Sequence, residues 1–308
     1  MSRGGPNGRL SIFIFHRVLP AEDAYFPYEP GVERFDQIVS FIARQFRVLP
    51  FLEAAQRLAA GQLPAAAACI TFDDGYADNF ELAVPILRKH GVTGTFFIAT
   101  AYVDGGRMWN DVVSDAVRLA PAGTIDWRDL GVSPVVVGDV ASRFAAYRQM
   151  QQQLKYVGQR QRTEWTDEIA KRAGLPETSA LMMTRAQVRA LPALGMDVGG
   201  HTQTHPILAR VDDAVARDEI GGGREVLTDW LGFAPQVFAY PNGRPGTDYL
   251  PRDVALVRSA GYCAAVSTAP GVGTPCTDPL QLPRYTPGDR AMWKFALRSA
   301  RNLMQPVA

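Results

Sequence analysis

Residues 70–80 read ITFDDGYADNF, and this stretch decides the fold. An apolar run over 65–72 ends abruptly in two adjacent carboxylates, Asp73 and Asp74, with Gly75 directly after them. Like charges side by side repel, so one of the pair must be stabilised or protonated. A cation beside the pair resolves the conflict, and other parts of the chain must then supply its remaining ligands.

Outward from this stretch, short apolar runs alternate with amphipathic ones. Residues 10–16, 67–72, 93–99, 196–199, 236–240, 263–267 and 280–284 read as strands. Between them, 35–46 carries Phe35, Ile38, Val39, Ile42 and Phe46 at helical spacing. Residues 79–90 form a helical pattern stopped by Gly91, and 184–194, 212–231 and 251–260 are further helical patterns. Such alternation predicts a parallel α/β sheet, open or closed into a barrel. Residues 105–181 interrupt the pattern. They read as an insertion of largely helical character after the third strand, too thin in apolar residues for a core of its own, so that 1–308 is expected to be one catalytic domain.

The bulk composition excludes several classes. With 308 residues, 47% hydrophobic and 20% charged, the chain is an ordinary globular protein. A net charge of +1 gives no field to attract nucleic acid or an acidic membrane surface. Of the three cysteines, Cys69 and Cys263 lie in apolar runs and read as small core residues; with Cys276 they show no metal-type spacing, a pattern that suits a reducing compartment. The apolar stretch near the N-terminus is shorter than the ~7–15 residues of a signal core. No stretch approaches the ~20 apolar residues of a transmembrane helix. The expectation is a cytoplasmic protein; its oligomeric state is not readable.

The missing ligands are found in GGHTQTHPIL, residues 199–208. Two of the chain's 4 histidines, His201 and His205, fall here, just after a predicted strand. Two imidazoles at this spacing can converge on one ion. Pro206 disfavours helical geometry at His205, which places the pair in a strand-end loop. Parallel sheets put their chemistry at the carboxyl ends of their strands, where both this motif and the Asp pair lie. Two histidines and one carboxylate leave positions open for water and substrate, as a catalytic metal site requires. One Asp of the pair can ligate while the other acts as a general base.

These residues resemble a known family. TFDDG (71–75) with HTQTHP (201–206) is similar to the polysaccharide deacetylases, the fourth carbohydrate esterase family. FAYPNG (238–243) resembles their third motif, and 184–195 resembles the helix leading to the histidine strand. The resemblance spans about 10–101 and 182–285. It implies a distorted (β/α) barrel of about seven strands and metal-dependent removal of acetyl groups from sugars. By position it implies Asp74, His201 and His205 as metal ligands, commonly of zinc, and Asp73 as the base that draws a proton from water. The backbone N–H of Asn242 would help stabilise the oxyanion. Tyr240, from the same motif, is a further candidate contact to substrate.

Two departures from the family pattern stand out. Its third motif usually carries an arginine and a tyrosine where this chain has Ala239 and Asn242. That arginine orients the base, and Arg284 in LPRY is the candidate to replace it. The fifth motif usually offers a histidine acid late in the chain, yet none follows His205. Deacetylases of poly-N-acetylglucosamine export systems are similar in carrying this histidine early, which makes His16, at the end of the first predicted strand, the candidate general acid. His90 is placed at a helix C-terminus and reads as structural. Thr202 and Thr204 are expected to fix the histidine loop, and Asp78 to cap a helix or contact substrate. Trp109 is a candidate for stacking on a sugar ring. GGGR (221–224) lacks the Lys-Ser/Thr ending of a phosphate loop and falls inside a helical pattern.

The reading is a metal-dependent hydrolase that deacetylates N-acetylated sugars of a polysaccharide or a glycan precursor. Zinc suits the ligand set, as do cobalt, nickel and iron. The competing readings are an amidohydrolase on a small non-sugar amide and a non-catalytic glycan-binding module.

Overall fold

The computed structural model describes residues 4–288 and 291–303. In chain order the strands are β1 (Ser11–Phe15), β2 (Arg47–Val48), β3 (Ala67–Phe72), β4 (Thr95–Ile98), β5 (Gly123–Trp127), β6 (Val132–Val137), β7 (Asp197–Gly200), β8 (Val237–Ala239) and β9 (Ala264–Val266). The α-helices are α1 (Val32–Gln45), α2 (Phe51–Ala59), α3 (Val84–Lys89), α4 (Trp109–Leu119), α5 (Val140–Lys155), α6 (Gln159–Arg172), α7 (Arg185–Ala190), α8 (Asp213–Leu231), α9 (Pro251–Ser259) and α10 (Met292–Asn302).

Residues 4–22, 28–104, 182–288 and 291–303 form the first of two compact units. Its sheet is seven-stranded and parallel, ordered β1-β3-β4-β7-β8-β9, with β2 paired to β3 off this path. The sheet curls. Ile12 of β1 and Val266 of β9, from opposite ends of the strand order, share one apolar cluster with α2. The other face buries Phe13, Ile70, Phe72 and Phe96 against Phe35, Ile38, Val39 and Ile42 of α1. Because both faces are covered, β3 is buried at all six positions and reads as a continuous apolar run. Its two large apolar side chains, Ile70 and Phe72, each contribute roughly 1.5–3 kcal/mol on leaving water.

The distorted α/β barrel expected from the sequence is therefore present, with two differences in strand detail. Residues 280–284 make no regular strand. Instead Leu282 and Tyr285 form isolated parallel bridges to Val266 and Phe13, closing the gap between the two ends of the sheet. The seventh strand is the two-residue β2, too short to show in an apolar pattern. Cys69 is buried as expected, but Cys263 is exposed, because it precedes β9 rather than lying within it.

The second unit comprises residues 105–181 with 23–27. It holds α4, α5, α6 and the antiparallel pair β5–β6. Its apolar cluster includes Val113, Val117, Val132, Val137, Met150, Leu154 and Ile169. The sequence reading saw too little apolar content here because these residues are dispersed over three helices and a hairpin. The 23–27 segment is held by the Arg118–Asp23 ion pair at 2.7 Å and by Phe26 against Tyr147.

Candidate metal centre and active site

Strand register brings the site together. Phe15 of β1 pairs with Phe72 of β3, so the next residues, His16 and Asp73, leave the sheet side by side. Ile98 of β4 pairs with Gly200 of β7, and Gly200 with Phe238 of β8, which delivers His201 to the same edge. All of these are carboxyl ends of parallel strands, where this class of sheet carries its chemistry.

Asp74 and Gly75 turn sharply after β3, with φ of 77° and 89°. Thr202, His205 and Asn242 are also left-handed, at 65°, 55° and 59°. Each non-glycine residue in that region costs on the order of 1–3 kcal/mol. Among the other described non-glycine residues only Ala66 and Asp104 share this conformation, so the strain is concentrated where the strand-end loops converge.

The converging groups are Asp74, His201 and His205. Asp74 Oδ1 lies 3.4 Å from His201 Nε2 and 3.5 Å from His205 Nε2. These separations are long for hydrogen bonds but match the roughly 3.3 Å edge of a tetrahedron built on ~2.0–2.1 Å metal bonds. Asp74 Oδ1 is also buried with no hydrogen-bond partner, an arrangement that costs free energy unless a cation compensates it. His201 Nδ1 is 2.7 Å from the Ala239 carbonyl. A carbonyl only accepts, so Nδ1 carries the proton and Nε2 keeps its lone pair for a metal. The three residues therefore fit a divalent ion.

Asp73 is held apart from this group. Arg284 donates to it through two parallel bonds of 2.7 Å, one to each carboxylate oxygen. The same guanidinium donates to the Ser267 carbonyl at 2.9 Å, and both residues are buried. Burial pushes the Asp73 carboxyl up, but Arg284 and His201 outweigh it and hold the group below the usual carboxylate range. Asp74 is likewise raised by burial and pulled down further by His201, His205 and His16. Burial lowers His201, yet the two carboxylates more than offset this and leave it above the ordinary imidazole value. The field at this edge is one that attracts positive charge.

His16 is half-buried and acts electrostatically on both Asp73 and Asp74, which places it at the same edge. Asp78 pins its loop. The Asp78 carboxylate accepts from Arg17 Nε at 2.8 Å and from the Val18 N–H at 3.2 Å, and Asn79 donates to the His16 carbonyl at 2.9 Å. Asp78 makes no helix-capping bond, contrary to the sequence expectation. His90 caps α3 and pairs with Asp36, in keeping with a structural role.

Asn242 stands directly after the third motif's proline, its carbonyl held by Thr268 at 2.6 Å. Tyr240 is different. It is fully buried and stacks on Tyr249 with ring centroids 3.8 Å apart, so its side chain packs the core rather than reaching for substrate. Trp109 belongs to the second unit, where its ring packs on that unit's apolar cluster and under Arg162 at 5.2 Å. Sequence reasoning missed Glu219, a buried residue of α8 that binds the histidine loop. A glutamate in an amphipathic helix reads as solvated, and nothing in the local pattern marks it otherwise.

Residues 60–265 match the family model for polysaccharide deacetylase. The chain belongs to the polysaccharide deacetylase family. Family membership supports deacetylation of sugars. No curated protein matches significantly. Among solved structures, the chain is similar to the Streptococcus pyogenes deacetylase PplD in complex with acetate, at 18% identity and a TM-score of 0.64 over 97% of this chain and 99% of that one. It is also similar to IcaB from Ammonifex degensii, at 20% identity and a TM-score of 0.60 over 97% and 98% of the two chains. At these identities the likeness is one of fold. Among the described residues no helix is long and apolar enough to cross a membrane.

Proposed function

We propose that this polysaccharide deacetylase family member is metal-dependent and removes acetyl groups from N-acetylated sugars of a polysaccharide or its glycan precursor. The observation that carries the reading is the division of labour at one sheet edge. Asp74, His201 and His205 converge on a point, while the adjacent Asp73 is tied to Arg284 and kept from it. Zinc suits two imidazoles and a carboxylate, with cobalt, nickel and iron as close competitors.

Asp74, His201 and His205 would hold such an ion, which would supply Lewis-acid polarisation of the acetyl carbonyl and activation of water. Asp73, ionised at neutral pH, accepts the proton of the attacking water as its oxygen bonds to the acetyl carbon. Arg284 fixes the orientation of that carboxylate. In this reading the backbone N–H of Asn242 is the donor assigned to the developing oxyanion. As the carbon–nitrogen bond breaks, His16 gives its proton to the leaving amine, so acetate and a free amino sugar result.

The test is bound-metal analysis of the purified protein coupled to acetate release from a panel of N-acetylated sugars, before and after chelation. One ion per chain with chelator-sensitive release is expected. A protein that takes up no ion under any metal supply overturns the reading in favour of a metal-free amidohydrolase or a binding module. An ion without acetate release from any sugar argues for another acyl substrate.

A further inference from the structure

The loop that carries both histidines is gripped from two sides. From one side the 100–102 turn donates to its carbonyls: the Thr100 N–H to Thr202 at 3.3 Å, the Ala101 N–H to Gln203 at 3.0 Å and the Tyr102 hydroxyl to Thr204 at 2.9 Å. From the other side Glu219 of α8 takes its donors. One carboxylate oxygen accepts from the Gln203 and Thr204 N–H groups at 2.9 and 2.8 Å, and the other accepts from the Thr204 hydroxyl. Within the loop, the Thr202 hydroxyl accepts from the His205 N–H at 3.1 Å.

Glu219 is 6% exposed. A buried carboxylate this close to a loop is costly unless donors converge on it, and here the donors are the loop's own backbone. One turn further along α8, Gly222 and Gly223 let the helix approach. A Cβ on Gly223 would sit 3.0 Å from the Thr202 carbonyl carbon and oxygen, and one on Gly222 would sit 2.6 Å from Gln203 Nε2. The last two glycines of GGGR, which matches no phosphate loop, have their explanation in this contact.

We infer that Glu219, seated by Gly222 and Gly223, is the positioning residue that sets the spacing of His201 and His205 and so the affinity of the site for its ion. The inference rests on the metal-dependent reading above. Residues 202 and 205 are held in left-handed conformations that a free loop would leave. Carboxylate hydrogen bonds to consecutive N–H groups keep them there and hold the two Nε2 atoms around Asp74. Outer partners of this kind set metal affinity by about 10–100-fold.

The experiment is Co2+ titration of the chelator-treated full chain, followed by visible absorption, with Zn2+ competition for the dissociation constant. Glu219→Ala should weaken Co2+ binding about 10–100-fold and change the absorption band shape. Glu219→Gln keeps an acceptor for both N–H groups and should stay within about threefold of wild type. Gly223→Ala raises helix propensity, so a weaker site in a protein that melts no lower points to the displaced loop. Should Glu219→Ala fail to fold, Thr204→Val, which removes one donor, and Gly223→Ala carry the test. Folded variants with wild-type affinity and spectrum overturn the inference, as does a Gln variant as weak as the Ala one. A wild-type chain that binds no Co2+ overturns the metal-dependent reading together with it.

Discussion

The Arg284 guanidinium lies in register with the Asp73 carboxylate, two parallel 2.7 Å bonds joining residues 211 positions apart. This fork geometry is specific to arginine. Arg284→Lys should therefore keep its metal and lose at least about tenfold in kcat. Removing the partner outright should be severe for stability. Arg284→Met leaves a buried unpaired carboxylate, a loss of about 3–5 kcal/mol, whereas Arg284→Met combined with Asp73→Asn should recover much of it. Urea denaturation of the four proteins in the cycle measures this. Additive losses would mean that the pair is not coupled.

His201 and His205 differ in how they are held, and their alanine variants should differ accordingly. The His201 side chain is 1% exposed and bonded to the Ala239 carbonyl, while that of His205 is 13% exposed. Both variants should show a reduced metal-to-protein ratio. In the metal-free state His205→Ala should melt near wild type, and His201→Ala should lose about 1–3 kcal/mol from the stranded carbonyl and the void. A normal metal ratio in either variant removes that histidine from the ligand set.

His16 is tested through its leaving group. His16→Ala should slow N-acetyl hydrolysis by about 10²–10⁴-fold. An activated aryl acetate departs without a proton, so its hydrolysis should fall less than about tenfold. Equal slowing of the two substrates would make His16 a structural residue.

A surface carboxylate with two basic partners gives a pH signature. Asp36 of α1 accepts from Lys89 and His90 at the end of α3, both at 2.8 Å. The Lys89 hydrogen bond, followed by that of His90, holds the Asp36 carboxyl below its usual range. A depressed folded pKa adds stability that is fully present above the unfolded value near 3.9 and is lost as pH falls through the lower folded value. The side chain is 31% exposed, so solvent screening keeps the contribution under about 1 kcal/mol. Asp36→Asn should melt slightly below wild type at pH 6, with the gap closing toward pH 2. A gap that widens on acidification contradicts the pairing.

The sequence was informative where physics is local. A strand buried on both faces must be apolar throughout, so β3 and β4 stood out, and the charged stop at Asp73 marked a strand end. The helix starts at Thr184 and Asp212 were legible because their side chains cap the first turn. Contacts set by tertiary distance were not legible. Arg284 was singled out as the replacement for the third-motif arginine, but its two-bond grip on Asp73 became visible only with the barrel closed. Glu219 resembled any solvated glutamate. Tyr240 lay in a recognisable motif, but which way its ring points is decided by Tyr249, which no pattern links to it.

The bridging segment around Leu282 and Tyr285 has a temporal consequence. Translation at about 5–20 residues per second puts roughly 10–40 seconds between emergence of Asp73 and emergence of Arg284. During that interval Asp73 has no guanidinium to meet, and a barrel lacking this segment would have to bury a lone charge. The nascent chain is thus discouraged from closing early. The pairing of Asp73 with Arg284 is completed only with the final turn of the barrel.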